Sequence, residues 1–214
     1  MLVLGGLDRT GAPTSAIERL DRTGAHVVGH LPSGLPGAAA ASLAGTVYLF
    51  GGGGGGVQAT NAIVAVPSLR GGAIRQVGRL PTVLTGASAT AVGGQVFVVG
   101  GFDGSHEVDS VYAWSPGGVV HRTARLPAPL RSAAVAAVGG VVIIAGGVSG
   151  GVPSRSILRF DPALHAVTRI GTLPLLVGRA GAAALGGLFF VVGGRGAGGA
   201  GASRAIFAVD PATG

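Results

Sequence analysis

The chain contains no cysteine and no lysine. Without cysteine, disulfides, thiolate nucleophiles and cysteine-based metal sites are excluded, and the redox compartment stays open. Aromatic residues make up only 5% and charged residues only 11%, so stacking platforms for nucleic-acid bases are nearly absent. Charge is also too sparse for a solvated, disordered chain. The fifteen basic residues are all Arg and face eight acids, for a formal charge of +7. They are scattered, and Arg without Lys in an Ala-, Gly- and Val-rich background reads as coding bias rather than an electrostatic footprint. No nucleic-acid partner is expected. Met1 opens directly onto Leu-Val-Leu-Gly-Gly, with no basic segment, long apolar run and cleavage site, so no signal peptide is expected in this sequence, and localisation is left open.

What the chain does have is apolar residues at 48% and 43 glycines in 214 residues. There is no Gly-X-Y period, so the composition points to tight turns between buried strands. An apolar run ending in a Gly pair occurs five times, as MLVLGG, TVYLFGG, QVFVVGG, VVIIAGG and LFFVVGG. The pairs begin at Gly5, Gly51, Gly100, Gly146 and Gly193, at intervals of 46, 49, 46 and 47 residues. A Leu-Pro landmark at Leu31, Leu80, Leu126 and Leu173 keeps matching intervals of 49, 46 and 47. Between them a β-branched residue (Ile17, Ile63, Val111, Ile157, Ile206) stands three positions before a large apolar one (Leu20, Val66, Trp114, Phe160, Val209).

Each unit thus holds four short apolar segments punctuated by Gly or Pro, which are strands rather than helices. The units run over 1–36 (partial), 37–82, 83–128, 129–175 and 176–214 (partial) of a single domain. Eighteen strands and no helix longer than two turns are expected. Gly pairs at 93–94, 139–140 and 186–187 separate the first two segments with two residues suited to positive φ, the chemistry of a tight hairpin. The second segments lack apolar/polar alternation, so both their faces must be covered, as in a sheet packed between two others. Gly100 and Gly146, closing such strands, should tolerate substitution less well than Gly198 or Gly199 in a glycine-rich loop.

Four-stranded units of this length are those of radially stacked blades. The apolar run with its Gly-Gly, the third segment with an aromatic near its end at Trp114 and Phe160, and the Leu-Pro before the next unit resemble the kelch family. Val120 stands where that family usually carries a fourth-strand Trp. The resemblance implies an all-β fold, a kelch-type β-propeller of five blades or part-blades of four antiparallel strands, within a six- or seven-bladed whole. The first unit then lacks an inner strand and the last an outer one, and the free edges favour self-association.

Several motifs compete with this reading. Gly51–Gly56 contains the G-x-G-x-x-G spacing of dinucleotide sites, but any poly-Gly run does, and Val57 to Pro67 leads into a strand instead of the required helix. Ser132–Ser154 is uncharged and long enough to suggest a membrane span. Gly139-Gly140 divides it at the repeat's hairpin position, so no membrane-spanning segment is expected. Asp103, His106, Glu107 and Asp109 are the densest ionisable patch, but their spacing matches no metal motif and a solvated turn is expected. Arg75, Arg79, Arg122, Arg125 and Arg169, like His26, His30, His121 and His165, fall in or beside fourth segments, where charge discourages edge pairing. No catalytic residue, metal or cofactor is assigned.

Loops between the second and third strands, and those leading from each Leu-Pro into the next blade, should gather on one face around the axis. The ligand-binding candidates there are Asp8, Arg9, Gln58, Asp103, His106, Glu107, Arg131, Arg179 and Arg195. The expected function is a non-catalytic scaffold for a protein, peptide or glycan. The resemblance also implies two alternatives: a carbohydrate-acting propeller enzyme of the sialic-acid mutarotase type, or the sensor part of a membrane-linked receptor. Copper galactose oxidase chemistry needs a Tyr-Cys crosslink that this chain cannot form.

Overall fold

A computed structural model describes residues 2–54, 56–67, 72–196 and 201–214. Gly55 of the glycine run and the loop positions Gly198 and Gly199 lie outside the described residues. The rest forms five antiparallel sheets of three or four strands and one two-stranded ribbon, with no helix among the described residues and therefore none long and apolar enough to cross a membrane.

The first sheet has three strands, β1 (Leu2–Leu7), β2 (Pro13–Asp21) and β3 (Gly24–His30), in that spatial order. The second follows as β4 (Ala39–Leu43), β5 (Thr46–Phe50), β6 (Ala62–Pro67) and β7 (Arg75–Arg79). The third is β8 (Ser88–Val92), β9 (Gln95–Val99), β10 (Ser110–Trp114) and β11 (His121–Arg125). In the fourth, β12 (Ala134–Val138), β13 (Val141–Ala145), β16 (Ser156–Asp161) and β17 (Ala166–Thr172) form the sheet, while β14 (Val148–Ser149) and β15 (Val152–Pro153) make a small separate ribbon. The fifth is β18 (Gly181–Leu185), β19 (Leu188–Val192) and β20 (Ile206–Val209). The eighteen strands expected from the repeat are present, and the ribbon is an addition within one loop. The uncharged Ser132–Ser154 segment is a hairpin, with Val138 paired to Val141 across Gly139-Gly140.

Local chemistry explains the turns. Gly93-Gly94, Gly139-Gly140 and Gly186-Gly187 have positive φ at both positions, the geometry that matches the twist of two-residue hairpins. The second sheet makes the same turn with Ala44-Gly45, Ala44 adopting φ 49°. A bulge recurs between third and fourth strands at Ile17/Glu18, Ile63/Val64, Val111/Tyr112 and Ile157/Leu158, one in each of the first four repeats. Such a bulge strengthens local twist.

The core lies between sheets rather than within one, because β9 and β13 bury both faces. Trp114 of the third sheet is 1% exposed and meets the edges of Tyr48 and Phe50 from the second, with ring centroids 4.9 and 5.6 Å away. Phe97 and Phe160 repeat this contact between the third and fourth sheets at 5.2 Å. Edge-to-face aromatic pairs fix side-chain orientation beyond what apolar burial alone would do. The first strands β4, β8, β12 and β18 are successive neighbours, so they lie innermost around the axis. The Ser88 hydroxyl donates to the Ala133 carbonyl at 2.7 Å between two of those sheets. Fourth strands are outermost, where the arginines and histidines of β3, β7 and β11 stand largely in solvent. His165 also contacts Thr123 across two sheets.

Candidate functional site

Every Leu-Pro segment turns inward at a residue with a left-handed backbone: Gly37, Gly86, Ser132 and Arg179, with φ of 69°, 61°, 52° and 57°. These four are joined in series, because the amide of each donates to the carbonyl of the one before, at 2.8, 2.7 and 3.0 Å. The inter-sheet seam near the axis is therefore a backbone hydrogen-bond chain that climbs from repeat to repeat. Left-handed geometry is costly for side chains larger than Gly, so Ser132 and Arg179 are held there by the register of their neighbours.

The loops between second and third strands dock onto these inward turns. Thr85 pairs with Phe102, Arg131 with Val148, and Gly178 with Arg195. The Leu-Pro loops and the second-to-third-strand loops thus form one face.

The structure brings some sequence candidates together. The Arg131 guanidinium lies 3.2 Å from the Glu107 carboxylate and 5.3 Å from the Phe102 ring centroid, joining the loop of the third sheet to the entry of the fourth. Backbone pairing then leads from Arg131 and Ser132 to Arg179, and through Gly178 to Arg195. Arg179 and Arg195 are exposed.

Asp103 and Asp8 act inside their own loops. Asp103 Oδ1 accepts from the amides of Ser105 and His106, both at 2.8 Å. These bonds, the one from His106 first, hold its carboxyl below the usual carboxylate range. Asp8 Oδ1 accepts from the Thr10 hydroxyl and from the amides of Thr10 and Ala12, and the hydroxyl is the main reason its carboxyl is also held low. Arg9, Gln58 and His106 are exposed; Arg9 and Gln58 have no side-chain partner among the described residues, and His106 lies within electrostatic reach of Asp103. Asp109 pairs with Arg125 at 2.7 Å and takes no part in the face.

Residues beyond the sequence candidates line a groove of about 610 Å³ where the fourth and fifth sheets meet this face. Arg155, Leu175, Leu176 and Ser203 are among its walls. Arg155 occupies the register of Asn61 and Asp109, since the carbonyl of each accepts the amide of the next Leu-Pro leucine. That shared register was readable in the repeat. The exposure of Leu175 and Leu176 was not, because no other Leu-Pro loop carries a pair of leucines at those places, which hold Ser33-Gly34, Thr82-Val83 and Ala128-Pro129.

No curated protein matches the chain. Among solved structures, "Structure of YjhT" shares the fold with a TM-score of 0.81 at 14% identity, covering 98% of this chain and 78% of that one. The model of the Kelch motif matches residues 84–118 and 129–174, which fall on the third and fourth sheets described above. The chain thus has the fold of a β-propeller of stacked antiparallel sheets, and its third and fourth sheets match the Kelch motif.

Proposed function

We propose that the chain is a non-catalytic binding scaffold whose loop face takes a protein or glycan ligand bearing negative charge. The observation that carries this reading is the groove beside Arg155, in which a guanidinium without a partner among the described residues adjoins the exposed Leu175 and Leu176. A cation beside an apolar wall suits an acidic ligand with an apolar part. Arg179 and Arg195, exposed on the same face, extend the positive field toward the axis. Arg9 and Gln58 lie in loops of the first and second sheets and serve as peripheral contacts. Asp8 and Asp103 preorganise loops, since their carboxyls are hydrogen-bonded and held in the charged form. That state is a poor starting point for general acid catalysis near neutral pH.

The test is a binding screen on arrays of acidic peptides and of sialylated and neutral glycans, followed by calorimetry on the hits. Binding that falls about tenfold in Arg155→Gln and with rising salt supports the scaffold. Ligands bound equally well by Arg155→Gln and by a variant carrying Arg179→Gln and Arg195→Gln would remove the face from consideration. Accelerated interconversion of sugar anomers, followed by NMR, would favour the enzyme reading instead.

A further inference from the structure

In the second, third and fourth sheets the glycine pair that ends the second strand holds the following Leu-Pro segment by a fixed set of backbone bonds. The amide of the second glycine, Gly52, Gly101 or Gly147, donates at 2.8 Å to the carbonyl of Leu84, Leu130 or Val177, four residues beyond the leucine of Leu-Pro. The amide of that gripped residue donates to the carbonyl of Thr60, Val108 or Ser154, and the Leu-Pro leucine donates to Asn61, Asp109 or Arg155. Two residues further along, the amide of Gly86, Ser132 or Arg179 donates to the inward turn before it. The side chains that arrive with these bonds are buried, since Leu80, Leu84, Leu126, Leu130, Leu173 and Val177 are at most 7% exposed.

The fifth sheet presents the same groups unoccupied. Gly193 and Gly194 have φ of 69° and 95°, against 63° and 95° at Gly146 and Gly147. Ser203 stands in the register of Ser154, because its amide donates to the Gly194 carbonyl as that of Ser154 donates to Gly147. The Gly194 amide and the carbonyls of Ser203, Arg204 and Arg179 have no hydrogen-bond partner among the described residues. A Cβ on Gly51, Gly100 or Gly146 would fall on the gripped carbonyl, whereas one on Gly193 would meet only the Ser203 carbonyl, at 3.5 Å. The place of the gripped carbonyl is therefore open. Val192 and Ile206 are 45% and 66% exposed, while Ala145 and Ile157, paired in the same register, are 1% and 2% exposed in one cluster with Leu173 and Val177. Unpaired backbone groups in line beside uncovered apolar side chains are a template for an extended segment, the backbone giving affinity and the side chains selectivity. The three occupied copies define what fits: Pro leaves no amide unpaired, and Gly suits the left-handed inward turn. We propose that the fifth sheet carries a docking site for a partner segment of the pattern Leu-Pro-x-x-(Leu or Val)-x-Gly. Its backbone bonds to Gly194, Ser203, Arg204 and the Arg179 carbonyl, and its apolar side chains cover Val192 and Ile206.

The probe is a synthetic peptide copying Leu80 to Val92 of this chain, which carries the pattern and the strand that follows it. The full chain, isotope-labelled, is titrated with it while the resonance and hydrogen exchange of the Gly194 amide are followed by NMR. The expected result is a saturable downfield shift of that amide with slowed exchange. Binding should be at least about tenfold weaker for the same peptide N-methylated at Leu84, which cannot donate to the Ser203 carbonyl. Gly193→Ala puts a methyl where the peptide carbonyl must come and should abolish the shift. Gly187→Ala, at φ 80° in the hairpin of the same sheet with open space around it, carries comparable left-handed strain and should bind as the unmodified chain does. A Gly194 amide that the peptide does not move overturns the proposal, as does undiminished binding of the N-methylated peptide or undiminished binding by Gly193→Ala. Protection of Gly194 that grows with protein concentration in the absence of peptide also overturns it, because the site then belongs to a second copy of the chain.

Discussion

The carbonyl oxygen of Leu130 occupies the space that a Cβ on Gly100 would need. Leu84 stands in the same relation to Gly51, and Val177 to Gly146. In each case that carbonyl accepts a 2.8 Å hydrogen bond from the second glycine of the pair, Gly52, Gly101 or Gly147. The Gly pair is thus the clamp by which one sheet grips the Leu-Pro loop entering the next. Gly139 also has positive φ, but a Cβ there would meet open space. Gly139→Ala should cost about 1–2 kcal/mol, the left-handed penalty alone. Gly100→Ala and Gly146→Ala add a backbone collision and should cost about 3 kcal/mol or more. Urea midpoints measure both, and equal shifts would deny the pair its clamping role.

Glu107 and Arg131 offer a test of how the loop face is held. Their side chains are 16% and 33% exposed, so the pair is better shielded than a surface ion pair. Arg131→Ala also removes the cation over Phe102. We expect a loss of about 1–2 kcal/mol for either single change and a coupling energy of about 1 kcal/mol in the double-mutant cycle. Additive losses would mean that Phe102 packing alone fixes Arg131.

The architecture was legible because each landmark of the repeat has a backbone duty. Gly pairs clamp, Leu-Pro segments turn inward, and the β-branched residue of the third strand sits at the bulge. Register alone gave the hairpin within Ser132–Ser154, where hydropathy pointed elsewhere. The site was less legible, because it depends on which loops meet. Glu107 and Arg131 are 24 positions apart and come together only through the turn at Ser132. Asp103 looked like a possible ligand in sequence, yet its hydrogen bonds serve its own turn. Nothing in the spelling of Trp114 announced that its ring would be buried with the N–H unmatched. Nor did the repeat foretell the ribbon β14–β15.

Three hydrogen-bonded carboxyls make the chain's acid response testable. Asp8, Asp21 and Asp103 are each held below the ordinary carboxylate range, by the Thr10 hydroxyl, the Thr23 hydroxyl and the His106 amide respectively. A folded-state value below the unfolded one contributes stability above the ordinary carboxylate value of about 3.9, and that contribution is lost as pH falls through the folded value. Replacing all three by Asn should therefore lower the urea midpoint at neutral pH and leave it nearly unchanged near about pH 2. A gap between the two proteins that stays constant with pH would show that the hydrogen bonds matter without the charge.

Ile206 occupies the register of Ile63, Val111 and Ile157, each paired to the residue that ends the second strand of its sheet. Those three are at most 2% exposed, whereas Ile206 is 66% exposed. Leu185 matches Val138 at the hairpin position and is 73% exposed against 7%. The face of the fifth sheet turned away from the fourth thus carries the apolar pattern that is covered in the sheets before it. In stacked-repeat proteins stability comes largely from such neighbour contacts. Amides of β18–β20, and of the first sheet with its exposed Val3 and Leu7, should exchange faster than those of β9 and β13. An exposed apolar sheet face also favours association. The apparent mass in sedimentation should rise with concentration, and Leu185→Lys combined with Ile206→Lys should suppress the rise with little change in urea midpoint. Uniform protection across all five sheets, or a mass independent of concentration in the unmodified chain, would show that these faces are satisfied in solution.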